Sequence, residues 1–154
     1  MGKLDTSELA ITGTGLVIDA LGRWSATDIA FIRELHWRPV CDESTGETRT
    51  EVTLLVLSQL RPPQSTGWPD LDGGFWAIEV QFENVQEFCL TVKNQGDIQV
   101  PGFDLHDFSD RKRQDLHIQV EDYEGGVIAF YARRAQIVSC QKATHPPMVY
   151  QSRE

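Results

Sequence analysis

The chain predicts an all-β protein, an antiparallel β-sandwich or partly open barrel of about 7–9 strands with at most one short helix. Three observations predict this. Trp76, Ile78, Val80 and Phe82 alternate with Ala77, Glu79, Gln81 and Glu83, the period of two that a strand shows when one face is buried and the other wet. Comparable alternating runs recur along the chain between turn signals. No stretch holds a period near 3.6 over three helical turns.

Each element has its own signal. Ser25-Ala26-Thr27-Asp28 predicts a capped, short helical turn running toward Arg33, because Ser or Thr with an acid three residues on satisfies free amides. From Arg33 to Cys41, Leu35, Trp37 and Pro39 lie on one side of a strand and Glu34, His36 and Arg38 on the other. The run from Thr50 to Leu60 carries Val52, Leu54, Val56 and Leu60 in phase, with Leu55 and Leu57 on its second face. Two apolar faces predict a central strand. Phe88, Leu90 and Val92 alternate with Cys89, Thr91 and Lys93, so Phe75 to Lys93 reads as an antiparallel hairpin joined by Asn84-Val85-Gln86-Glu87. Leu116, Ile118 and Val120 mark a further strand, and Glu124-Gly125-Gly126 a tight turn into Val127 to Ala132. Ala135 to Gln141 adds the last strand. Two loops stand out: the acidic turn from Asp42 to Thr48, and the long, breaker-rich loop from Arg61 to Gly74 that carries Trp68.

At 154 residues the chain predicts one domain over 1–142, with a tail over 143–154 that lies on the surface or is disordered. The hydrophobic share of 40% and charged share of 24% are ordinary for a soluble globular protein. No apolar run approaches the roughly 20 residues a membrane span needs, and an acid as early as Asp5 argues against a signal peptide. Met1-Gly2-Lys3-Leu4-Asp5-Thr6 is a weak match for myristoylation. Cys41, Cys89 and Cys140 are odd in number and far apart. They read as reduced structural thiols of a cytoplasmic protein, with Cys89 and Cys140 as small apolar fillers within strands. The net charge of -9 is uneven: residues 42–124 hold 17 acidic and 6 basic side chains. Such a field disfavours nucleic acid and anionic membranes as partners and either favours encounter with a basic protein or serves only to keep the chain soluble.

The residues offer little chemistry. Asp104-Leu105-His106-Asp107-Phe108-Ser109-Asp110, with His117 nearby, is the best metal candidate, since imidazole and carboxylate suit divalent ions. Alternation puts Asp104 and His106 on one face and Asp107 on the other, so a polar strand edge explains these residues more simply. No Ser, Cys or Thr sits in a nucleophile motif with a His and an acid, and Thr12-Gly13-Thr14-Gly15 lacks the later Gly and Lys of a phosphate loop. The expectation is a protein that is not an enzyme, with no catalytic residues, no metal and no cofactor.

The order of segments resembles the Imm50-like bacterial immunity-protein family, found beside polymorphic toxins. Leu21-Gly22-Arg23-Trp24-Ser25 resembles that family's Gly-x-Trp-Pro segment, and Ile78 to Val85 its strand and following turn. Asn94-Gln95-Gly96-Asp97-Ile98 resembles its Asn-rich stretch, and Gly126 to Tyr131 its closing apolar strand. The chain departs where the family shows Trp-Pro and then Phe-His-Asp: here stand Trp24-Ser25 and Ala26-Thr27-Asp28. The resemblance implies a small immunity protein that binds and blocks a cognate toxin; the residues leave monomer and homodimer both open. Candidate contacts are Asp42, Glu43, Glu47, Trp68, Asp70 and Asp72, supposing that the two loops lie on one edge of the sandwich. Two other classes compete with it. One is a small-ligand or metal-binding β-sandwich enzyme using a pocket between the sheets or the His106 cluster; the other is a structural protein whose edge strands pair in a dimer.

Overall fold

The computed structural model describes residues 10–60, 69–93, 95–107 and 116–149. Its organising strand is β3 (Thr48–Ser58), flanked by β2 (Ile29–Cys41) and β4 (Trp76–Glu83). Val52, Leu54 and Val56 of β3 are fully buried toward the second sheet, and Leu57 is buried on the opposite face. The two-faced apolar pattern thus marks a central strand, as expected. One sheet has the order β1-β10-β4-β3-β2-β6, with β1 (Ile11–Thr12), β6 (Ile98–Gln99) and β10 (Arg134–Lys142). The other is β5-β9-β8-β7, built from β5 (Gln86–Leu90), β7 (Phe103–Asp107), β8 (Ile118–Asp122) and β9 (Ile128–Ala132). All pairings between strands are antiparallel except β1 with β10. Ile78, Val80 and Phe82 from the larger sheet meet Ile118, Val120, Ile128 and Phe130 from the smaller in one core. The architecture is an all-β sandwich, with ten strands among the described residues.

Phe75 to Lys93 is not a hairpin. Both edges of β4 are taken, by β3 and β10, so β5 cannot pair with it and joins β9 in the other sheet. The chain crosses the sandwich through a positive φ at Asn84 (54°) in the connection, and a second at Glu87 (54°) falls at the register shift within β5. A period of two reports that one face is buried; it carries no information about which strand is the neighbour. Glu124-Gly125-Gly126 does join two paired strands, β8 and β9. Cys89 is exposed rather than a buried filler, because β5 turns it outward. Cys140 is half-buried, and burial pushes its thiol up.

The helix lies elsewhere than expected. Ala26–Asp28 form a single 3-10 turn before β2, and the Ser25 hydroxyl bonds Thr27 Oγ1 at 2.7 Å instead of capping it. The α-helix, α1, is Thr14–Leu21, two turns that bury Val17. It starts at Gly13 and stops at Gly22, both with left-handed φ; the Gly22 N–H donates to Ile18 O. No helix among the described residues is long and apolar enough to cross a membrane.

Residues 143–149, read from sequence as the start of the tail, cross the outer face of the larger sheet. Ala143 and Val149 pack against Ala30, Phe31, Leu57, Phe75 and Ala77. Arg33 holds Asp97 at 3.0 and 2.7 Å and donates to Pro146 O at 3.0 Å, while the Met148 N–H donates to Asp97 Oδ2 at 2.7 Å.

Candidate binding surface

β2 and β3 are longer than the sheet they belong to. Their ladder runs from Ile29 opposite Ser58 to Cys41 opposite Thr48. The ladder between β3 and β4 ends at Val52 opposite Phe82, and β6 accompanies β2 only at Phe31 and Ile32. Beyond those points the two strands continue as an arm, with one flanking backbone bond among the described residues, Val85 N–H to Thr50 O at 2.9 Å. Four further residues of β3 carry the arm roughly 13 Å past the ladder with β4.

The tip is the acidic turn. The Asp42 N–H donates to Glu47 O at 2.8 Å and the Gly46 N–H to Asp42 O at 2.7 Å, closing the loop; Gly46 supplies the left-handed φ of 76° that this closure needs. Asp42 Oδ1 accepts the Ser44 hydroxyl at 2.6 Å and the Ser44 N–H at 2.9 Å. These two bonds, the hydroxyl first, hold the Asp42 carboxyl below the ordinary aspartate range. Glu43 is exposed beside it. The two arginines of the arm already face carboxylates of the arm, Arg38 with Glu51 at 3.3 Å and Arg49 with Glu47 at 3.4 Å. Residues 34–51 hold five carboxylates and two guanidinium groups, a net charge of -3.

At the root of the arm stands Trp37. It shares the inward phase of Leu35 and its cross-strand partner Val52, yet it is 53% exposed. From the smaller sheet Phe88 reaches it, its ring meeting the indole edge to face at 5.4 Å. Phe88 in turn lies 5.3 Å from Phe130, and Phe130 meets Phe82 edge-on at 4.9 Å. Phe82 and Phe130 are buried core residues. A continuous aromatic ladder therefore runs from the core to one solvent-facing indole.

Asp42, Glu43 and Glu47 sit together at the tip, but Asp70 and Asp72 do not join them. They lie near the start of β4, beside the opposite end of β3, about 33 Å away along its ten residue steps. Asp70 is clamped there by Gln59, which accepts its N–H at 2.7 Å and donates to its carbonyl at 3.0 Å. The supposition that both loops share one edge is thus corrected: successive connections in an antiparallel meander alternate between the ends of the sheet. Trp68 lies outside the described residues. Trp37 was missed as a site residue because its phase is that of the core. The available signal was the length of the strand, since an apolar position far along an overhanging strand loses its cover.

Other sites are less developed. A cleft of about 400 Å³ opens beside the turn between β8 and β9, lined among others by Val92, Lys93, Gln95, Ile98 and Val127. Its buried carboxylate, Asp97, is already committed to Arg33 and Met148. His106 Nε2 lies 3.1 Å from Glu121 Oε1 and 3.8 Å from Asp104 Oδ2, and His36 Nε2 lies 3.5 Å from Glu34. Among the described residues no group of three or more His, Cys, Asp or Glu is arranged to hold a metal ion. Asp110 of the metal candidate lies outside them. No protein-family model matches this chain, and no curated protein or solved structure shows significant similarity to it.

Proposed function

We propose that this chain is a non-enzymatic binding protein of the immunity type, which neutralises a cognate bacterial toxin by seating the acidic tip of its arm against a basic surface of that toxin. The observation that carries the reading is the arm itself: a projecting hairpin of net charge -3, with Asp42 fixed in an ionised turn and Glu43 exposed at its tip. An outward-facing anionic turn already closed by its own hydrogen bonds has less conformational freedom to lose on binding and attracts a basic partner over the distance of a Debye length. The resemblance to an immunity family and the acidic middle of the chain support the same partner class.

Co-expression with the product of the neighbouring gene, which the reading requires to be toxic, tests this. The wild-type chain restores growth, and a triple reversal of Asp42→Lys, Glu43→Lys and Glu47→Lys loses protection while staying soluble with a similar melting temperature. Continued growth arrest in the presence of well-folded wild-type protein would contradict the reading, as would full protection by the triple variant.

A further inference from the structure

We infer that Trp37 is the anchoring hot spot of this surface and that it takes a Lys or Arg side chain of the partner on its exposed indole. The inference rests on the toxin-binding reading and names the chemistry of the contact. Exposure, support and charge carry it. Trp37 is 53% exposed although Leu35, in phase before it, and Val52, opposite it, pack in the core, so a large aromatic surface is left uncovered where the sandwich opens. It is held by the ladder through Phe88 and Phe130 to Phe82, so its ring is supported from below. A supported aromatic loses little rotamer freedom when a partner covers it, which is the usual character of an interface hot spot.

Charge selects the occupant. The arm's own cations are turned to Glu51 and Glu47, and the exposed Glu87 directly precedes Phe88. A cation drawn along the arm, whose residues 34–51 carry a net charge of -3, reaches an indole face, and Trp is the side chain with which cation–π contact is strongest. Five residue steps separate Trp37 from Asp42, roughly 17 Å along the strand. One standard interface of about 800 Å² per partner spans both. The tip would draw the basic surface in, and Trp37 would fix it.

Titration calorimetry of the purified chain with the purified product of the adjacent gene decides the matter. Trp37→Ala weakens the Kd by about 30-fold or more, the size of a hot-spot loss. Its melting temperature stays near that of wild type because the side chain is half exposed. Trp37→Phe, which keeps a π face, stays within about 5-fold of wild type; Trp37→Leu, which keeps apolar area but no π face, weakens binding as much as Ala. Binding that ignores Trp37→Ala overturns this inference and leaves the toxin-binding reading standing. A Leu variant that binds like wild type assigns the site to an apolar group instead. A wild-type chain that fails to bind overturns the toxin-binding reading itself. A Trp37-dependent dimer seen by light scattering without partner would give the surface to a second copy and also overturn the proposal.

Discussion

Three carboxylates are buried among the described residues, and each is held by groups of its own fold. Asp28 receives Arg23 at 3.1 and 2.8 Å, and Asp97 receives Arg33 and the Met148 N–H. Both guanidinium groups are raised above their ordinary value, chiefly by these hydrogen bonds. Asp122 accepts the N–H groups of Gly102 at 2.7 Å, Gly125 at 3.0 Å and Val127 at 3.4 Å, tying the start of β7 to the turn between β8 and β9. Buried polar groups with their partners present are explained by structure alone. An exposed Trp continuous with the core is not. Asp122→Ala leaves three amides without their acceptor and is expected to cost about 2 kcal/mol or more in chemical denaturation, with no loss of partner binding beyond that due to unfolding. At Gly13, φ is 81° and an added Cβ would lie 2.3 Å from Ile137 O, so the glycine is what lets α1 pack on β10.

The elements differ in what fixes them. β3 and β4 are fixed by neighbours on both sides, whereas the arm depends on its own ladder and turn. Alternation made β3, β4, β8 and β10 legible, because each has one wet and one dry face or sits centrally. The crossing of β5 to the second sheet was not legible, since pairing depends on which edges are already filled. α1 left no clear periodic signal because its two turns, bounded by glycines, bury Val17 fully and only Leu21 in part. In β2, register shifts between Ile29 and Phe31 and between Ile32 and Glu34 turn Phe31 to the outer face and return Leu35 to the inner one. The segment 143–149 is held at its start by Ala143 N–H to Phe75 O and further on by Arg33 and by Asp97, which accepts the Met148 N–H. Asp97→Ala is expected to release its far end, seen as faster amide hydrogen exchange at Met148 and Val149 while the amides of β3 stay protected.

Across the whole molecule, charge and shape point to the same end. The negative span recognised in the sequence includes the turn that the structure places farthest out on the arm. Half of the candidate site was legible, Asp42, Glu43 and Glu47, because an acidic turn between two strong strands has one place to go. Grouping Asp70 and Asp72 with it failed because two successive turns of a meander point opposite ways. Trp37 was hidden by an apolar phase that describes the core for Leu35 but open solvent two residues later. The central claim is that the arm and its aromatic root form the contact surface. Amide hydrogen exchange of the chain, alone and mixed with a purified toxin that it protects against on co-expression, tests that claim most directly. New protection should appear across residues 34–51 and 86–88, with the 69–74 end unchanged; protection confined to that opposite end, or to the cleft around Lys93, would contradict it.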